Sequence, residues 1–318
     1  YGPYPADDQI DPVGYVDGLY RVTRGGSHST PVVYLRSANR MAMIPEDNHF
    51  LTGFRIVEAP DPETKPLPWK PETRSVRQTR KKWAEGPATP RFEEPLVYVK
   101  APERSETPMY PHNHCPAVTW CANGDLLAVW FSTISEFGRE MAIWQSRLPD
   151  GSDTWEEASL LCKVPDRNMT GSSLWCDPET GRLLLLNGLE AGGWWRNLAL
   201  MSLTSEDNGA SWSRTSIVAP EHVPGHQVIA GMIRSREGWL LNTCDGGPDN
   251  NEGSVLQISR DGGRSFSSPC GPRPETFRNG GVGGMIAGIH ACLVQRRDGS
   301  LMAFGRGNDV TDSSGRRR

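Results

Sequence analysis

No apolar run in the 318-residue chain approaches the roughly 18 to 20 residues that a membrane-crossing helix needs, so no span is expected. Basic residues are not in excess. The chain has 34 Lys and Arg against 38 Asp and Glu, a formal charge of -4 and a pI near 6.0. That balance lacks the positive footprint of a nucleic-acid binder, and no nucleic-acid partner is expected. The seven cysteines show no C-x-x-C spacing and are odd in number, which reads as buried free thiols, not as a disulfide framework or a zinc site. No metal and no cofactor are expected on this basis. Residue 1 is Tyr, and no basic segment followed by an apolar one opens the chain, so the compartment is not readable from a leader. Long 3.6-period stretches are scarce, which argues against a helical protein.

Turn formers and aromatics are abundant: 34 Gly, 26 Pro and 11 Trp. They punctuate short hydrophobic runs as turns punctuate strands. After residue 111 the pattern repeats. Strand, turn and strand recur around Gly124-Asp125-Leu126, Gly181-Arg182-Leu183, Gly238-Trp239-Leu240 and Gly299-Ser300-Leu301, and these glycines are 57, 57 and 61 residues apart. A glycine at that point supplies the positive φ that a tight hairpin demands. A second hairpin follows in each unit as Ser205-Glu206-Asp207-Asn208-Gly209-Ala210-Ser211-Trp212 and Ser259-Arg260-Asp261-Gly262-Gly263-Arg264-Ser265-Phe266, with a looser version ending at Trp155. In this pattern Asp207 and Asp261 accept turn N–H groups, Gly209 and Gly263 take the left-handed position, and Trp212 and Phe266 pack beneath. Two hairpins per period give one four-stranded sheet per repeat, and radial stacking of such sheets is a β-propeller.

Residues 112–318 resemble the Asp-box, or BNR-repeat, sialidase superfamily. The resemblance implies an all-β, sialidase-like β-propeller over residues 95–318. The 207 residues from 112 onward hold about three and a half four-stranded blades, so the propeller is expected to be partial and cut short at its C-terminus. Residues 59–94 read as a linker. Between 59 and 111 there are 11 prolines and 18 charged residues, and Arg74, Arg77, Arg80, Lys81 and Lys82 form a basic run expected to be solvated. In residues 1–58, Arg24-Gly25-Gly26-Ser27, Arg36-Ser37-Ala38-Asn39-Arg40 and Gly53-Phe54-Arg55 resemble the C-terminal end of the formylglycine-generating enzyme, or sulfatase-modifying factor, family. The implied fragment belongs to a mixed α+β domain. The interval from His28 to Leu35 lacks the cysteines of that family's copper-dependent members, so their oxidation chemistry is not supported.

Loops before the innermost strand of each blade face a propeller's axis and make its pocket. Those stretches contain His112 and His114, Arg167-Asn168, His226 and His290. His112 and His114 are two apart on an extended segment and point to the same side. Where sialidases open their first inner strand with an Arg-Ile-Pro-Ala motif, this chain has His114-Cys115-Pro116-Ala117, so the arginine that opens that family's carboxylate-binding set has a histidine in its place. Arg139 and Arg196 each lie 16 residues before the aromatic of their Asp-box turn, where a guanidinium can grip a sugar carboxylate in two-pronged fashion. Glu136, Glu190 and Asp245 lie on or near the same loops.

The expected site therefore has His114, His112, Glu136 and Glu190 for acid–base work and Arg139, Arg196, His290, His226 and Asp245 for substrate. The expected partner is an acidic oligosaccharide or polysaccharide, and the expected activity is that of an exo-glycosidase, for which an extracellular or periplasmic location is natural. Two alternatives stay open: a polysaccharide lyase in which an arginine offsets a uronate charge while His114 or Tyr110 removes a proton, and a non-catalytic glycan-binding propeller.

Overall fold

The structure, a computed structural model, describes residues 1–16, 18–48, 51–67, 73–83, 89, 92–190, 197–223, 226–229, 231–245, 253–271, 285–286 and 288–306. Among them the regular structure is almost wholly β. The exception is a three-residue 3-10 turn at Val32–Tyr34.

The repeat seen in the sequence is a repeat of sheets. The first blade runs β3 (His112–Trp120), β4 (Leu126–Thr133), β5 (Ala142–Leu148), β6 (Ser159–Cys162) in antiparallel order. The second follows as β7 (Ser173–Cys176), β8 (Leu183–Glu190), β9 (Leu198–Ser205), β10 (Ser216–Val223). In the third, the innermost strand is split into β11 (Gln227–Val228) and β12 (Ile233–Arg234), both paired with β13 (Leu240–Asp245), which pairs β14 (Ser254–Ser259) on its other side. A fourth sheet contains β15 (Ile289–Gln295) and β16 (Leu301–Arg306) among the described residues. The four hairpin glycines have φ between 83° and 92°, as the turn reading requires.

The second strands of the first three blades are buried on both faces because those blades are covered on each side, whereas β16 of the fourth sheet is exposed. Accordingly β8 reads Leu-Leu-Leu-Leu-Asn-Gly-Leu-Glu with every residue buried, a continuous run in place of alternation. In β4 and β5, Trp130 and Trp144 sit directly opposite each other and are fully buried. Truncating either costs about 3 to 5 kcal/mol through the cavity it leaves. Four of the seven cysteines are buried, Cys176 is half-buried, and Cys270 and Cys292 are exposed; all are free.

Both Asp boxes form as expected. Ser205 and Ser259 donate Oγ–H to Asp207 and Asp261 at 2.7 Å, and accept from the Gly209 and Gly263 amides at 2.8 Å. Each Asp also accepts the amide and hydroxyl of the serine four residues on. The boxes join third strands to fourth strands, so they lie at the end of each blade opposite the starts of the innermost strands.

The segment 73–83, expected as a solvated linker, is instead laid along that Asp-box end of the first two blades. The Arg74 amide donates to the Ala210 carbonyl at 2.8 Å, Gln78 donates to the Asp207 carbonyl at 2.9 Å, and the Lys81 amide donates to the Ala122 carbonyl at 2.8 Å. Arg77 and Lys81 pair with Asp150, and Arg74 with Glu156. Extended backbone finds turn carbonyls left over by the hairpins, and the basic run finds carboxylates. Neither partner is visible from the local composition.

The N-terminal residues form a two-stranded sheet of β1 (Arg21–Thr23) and β2 (Met41–Met43). They are packed onto the same blades. Tyr20, Ala42 and Ile44 are buried in one apolar cluster with Leu127, Val129, Leu183 and Leu185.

Candidate functional site

Antiparallel order puts the start of each inner strand and the end of each second strand at one rim, away from the Asp boxes. His112 faces Thr133 and His114 faces Phe131 across the β3–β4 ladder, and a one-residue bulge follows between His114 and Ala117, with Cys115 at φ 52°. The fourth sheet has the same device: a one-residue bulge between Ile289 and Cys292, with His290 at φ 55°. The two registers make His290 the counterpart of Cys115, one residue beyond that of His114. A bulge of this kind turns successive side chains away from strict alternation and so re-aims them at a rim.

Three expected residues come together there. His114 Nδ1 is 2.9 Å from Glu136 Oε1, and His112 Nε2 is 3.7 Å from the same oxygen. All three are exposed. The two imidazoles lean on the buried Phe131 ring, with His112 stacked at an interplanar angle of 8°. The backbone of the loop carrying Glu136 is held from the next blade, since Asn168 Nδ2 donates to the Glu136 and Gly138 carbonyls at 2.9 Å each. Asn168 is a residue that the sequence placed at the rim without a role.

Asp245 and His290 form a second group. The His290 amide donates to Asp245 Oδ1 at 2.6 Å, and His290 Nδ1 lies 3.3 Å from Oδ2. Burial pushes the Asp245 carboxyl up to about 6, against the pull of the His290 amide and the Ser254 hydroxyl. Burial, then the Arg306 charge, push His290 down to about 4, with the His114 imidazole adding to the effect and the Glu136 carboxylate opposing it. Both shifts run against a charged pair, so around neutral pH the imidazole here is uncharged. The buried Cys115 thiol is pushed up to about 12 by desolvation and the nearby Glu136 and Asp245 carboxylates, and so is inert.

Arg306, absent from the expected site, belongs to it: it ends β16 opposite Ile289, and its charge acts on His290, Asp245 and Cys115. The signal was positional. Glu190, Asp245 and Arg306 are each the last residue of a second strand.

Arg139 and Glu190 are placed differently from the expectation. Arg139 Nε and Nη2 donate to Glu190 Oε2 and Oε1 at 3.1 and 2.9 Å, and both side chains are 4% exposed. The Tyr34 ring covers the guanidinium at 4.1 Å. The guanidinium that was to hold a sugar and the carboxylate that was to do acid work neutralise each other instead. Beside them Arg167 pairs with Asp47, both fully buried, and Asp47 also accepts from His222 at 2.6 Å. Lys163, lowered to about 8 by burial, donates to the Arg139 and Met141 carbonyls. His226 is buried too, its Nδ1 2.8 Å from the Leu198 carbonyl, and burial lowers its pKa, as befits a structural histidine. Arg196 lies outside the described residues.

Antiparallel sheets repeating about every 57 residues, four-stranded where all strands are described, with an Asp box at one end of the second and third and a polar rim at the other end, define a β-propeller. The chain belongs to the BNR repeat-like domain family, whose model matches residues 124–316. No curated protein matches the sequence. Solved structures similar in fold include the NanB sialidase of Streptococcus pneumoniae bound to Optactamide, at 11% identity and a TM-score of 0.50, covering 68% of this chain and 51% of that one. They also include the Hadza microbial sialidase Hz136, at 18% identity and a TM-score of 0.42, covering 50% of this chain and 37% of that one. A third is Zg3597, a family 117 glycoside hydrolase of Zobellia galactanivorans, at 14% identity and a TM-score of 0.49, covering 67% and 69%. The chain thus spans about half or less of the length of the two sialidases.

Proposed function

We propose that the rim joining the first and fourth sheets is a glycan site, and that the protein is an exo-glycosidase acting on an acidic sugar. The observation that carries this reading is the convergence of His112, His114 and Glu136 at one exposed point, with His290, Asp245 and Arg306 within electrostatic reach. Hydrolysis needs a proton donor at the leaving oxygen and a carboxylate opposite. The Asp245 carboxyl keeps its proton to about pH 6 and lies against the His290 ring, which links it to the rim. The Glu136 carboxylate, held by His114, supplies the opposite group. Arg306, not Arg139, is the guanidinium that offsets a sialate or uronate charge.

A second reading, the uronate lyase, is favoured by His290. An uncharged imidazole backed by a carboxylate is the form a base takes when it removes a proton next to a sugar carboxylate. Residues 1–58, which resemble the sulfatase-modifying factor end, serve here as cover for the first two blades through Tyr34 and Asp47.

The test is turnover of sialic and uronic acid glycosides. His114→Ala and Glu136→Gln should each lower kcat/KM by about 10² to 10⁴, and Arg306→Ala should raise KM for acidic substrates alone. A product absorbing in the ultraviolet as an unsaturated uronate would shift the assignment to the lyase. Glycan binding without any turnover would leave a binding propeller.

A further inference from the structure

The sequence offers no metal motif, yet His112, His114 and Glu136 bring two imidazole nitrogens and a carboxylate oxygen within 4.8 Å of one another. We propose that these three residues bind a divalent transition-metal cation, with zinc the best match. Two nitrogens and one oxygen suit zinc and its first-row neighbours, whereas calcium and magnesium select oxygen-only sets. Such ions hold their ligands at roughly 2.0 to 2.2 Å, which puts neighbouring donor atoms about 3 Å apart. Here the spacing from Glu136 Oε1 is 2.9 Å to His114 Nδ1 and 3.7 Å to His112 Nε2. The three donor atoms lie within 4.8 Å of one another in exposed side chains free to turn, so rotation of these side chains completes the set.

The surroundings prepare the site. Both imidazoles lie beside the buried Phe131 ring, His112 parallel to it and His114 tilted by 59°, so the two rings share one apolar support and keep room to turn. The Glu136 loop is tied down by Asn168, and also by Glu140, which accepts from the Thr133 hydroxyl and the Ile134 amide. Two of the ligands come from one strand two residues apart, so they need no loop to bring them together. Three protein ligands on an open rim leave coordination positions for water or for a sugar carboxylate, the arrangement found where zinc does chemistry and not merely structural work. The inference shares its location with the proposed glycan site but does not need its chemistry: a cation there makes Glu136 a ligand whether or not a glycan is cleaved.

The experiment is titration of the full 318-residue chain, freed of metal with a chelator, with zinc and with cobalt(II), followed by calorimetry and by the visible cobalt absorption. One equivalent of saturable binding is expected, and His112→Ala and Glu136→Gln should each weaken it by at least about tenfold. On the unaltered chain, zinc should shift the ring-nitrogen resonances of two histidines, and the His112→Ala and His114→Ala spectra assign them. Absence of saturable binding would overturn the proposal, and binding of equal strength in the His112→Ala/Glu136→Gln double variant would overturn it and point to the exposed thiols Cys270 and Cys292. Because the titration contains no sugar, metal binding without turnover would sink only the glycosidase reading, and turnover unchanged by chelation with no metal bound would sink only this one.

Discussion

Arg139 and Glu190 meet in a two-pronged ion pair that is sealed from solvent between the first and second blades, with Tyr34 of the N-terminal segment lying over the guanidinium. A buried pair is weak evidence for net stability, but breaking it leaves one charge stranded. Glu190→Gln should therefore lower the unfolding free energy by about 3 to 5 kcal/mol in urea titration. Replacing both partners with leucine or methionine should cost less than the single change. A single variant as stable as the parent would mean that water reaches the guanidinium.

Asp245 makes stability depend on pH in the opposite direction from an ordinary paired carboxylate. Its folded pKa, raised by burial to about 6, lies above the unfolded value of about 4. The contribution is then complete below pH 4 and is lost as pH rises through 6. Thermal midpoints followed from pH 4 to pH 7 should show this loss, and Asp245→Asn should flatten it. A midpoint that rises across that window in the parent and is unaltered by Asp245→Asn would contradict the burial argument.

Asp261 behaves the other way. Burial raises its pKa, but the Ser265 hydroxyl and amide, the Ser259 hydroxyl and the Arg264 amide outweigh burial and hold the carboxyl down at about 2. Stability from this box is present above pH 4 and fades as pH falls toward 2. Asp261→Ala and Asp207→Ala should each cost about 1 to 3 kcal/mol at pH 7, since each strands several turn donors. Chemical denaturation at pH 7 and acid titration of the parent check both statements.

The 73–83 segment should be a fastened strap and not a free tether. Arg77→Ala combined with Lys81→Ala removes the contacts to Asp150 and to the Asn123 carbonyl. Global stability should change by no more than about 1 kcal/mol, the usual worth of exposed pairs. Trypsin should nevertheless cut at Arg74, Arg80 or Lys82 much faster in the double variant, and added salt should speed cutting of the parent. Equal cutting rates in parent and variant would mean that the strap is held by its backbone and by Arg74, Gln78 and Arg80, not by the pairs to Asp150.

The turns of this protein were legible in its sequence because they are local. Gly124, Gly181, Gly238 and Gly299 each adopt the left-handed conformation within a two-strand unit, and Asp207 and Asp261 satisfy donors within four residues of themselves. Spacing alone then implied the blades, and the two-residue separation of His112 and His114 placed both imidazoles at one rim. Glu136 joined them because its loop connects two strands of the same sheet.

What only the tertiary structure decided is which charges face each other. Arg139 and Glu190 are 51 residues apart and Arg167 and Asp47 are 120 apart, so no pattern of neighbours foretold that they would neutralise one another inside the protein. Arg306 became part of the rim, and the basic run at 74–82 became part of a strap, for the same reason. Backbone conformation and alternation are properties of a few consecutive residues, whereas an ion pair depends on the distance between two charges, and that distance exists only once separate blades have stacked.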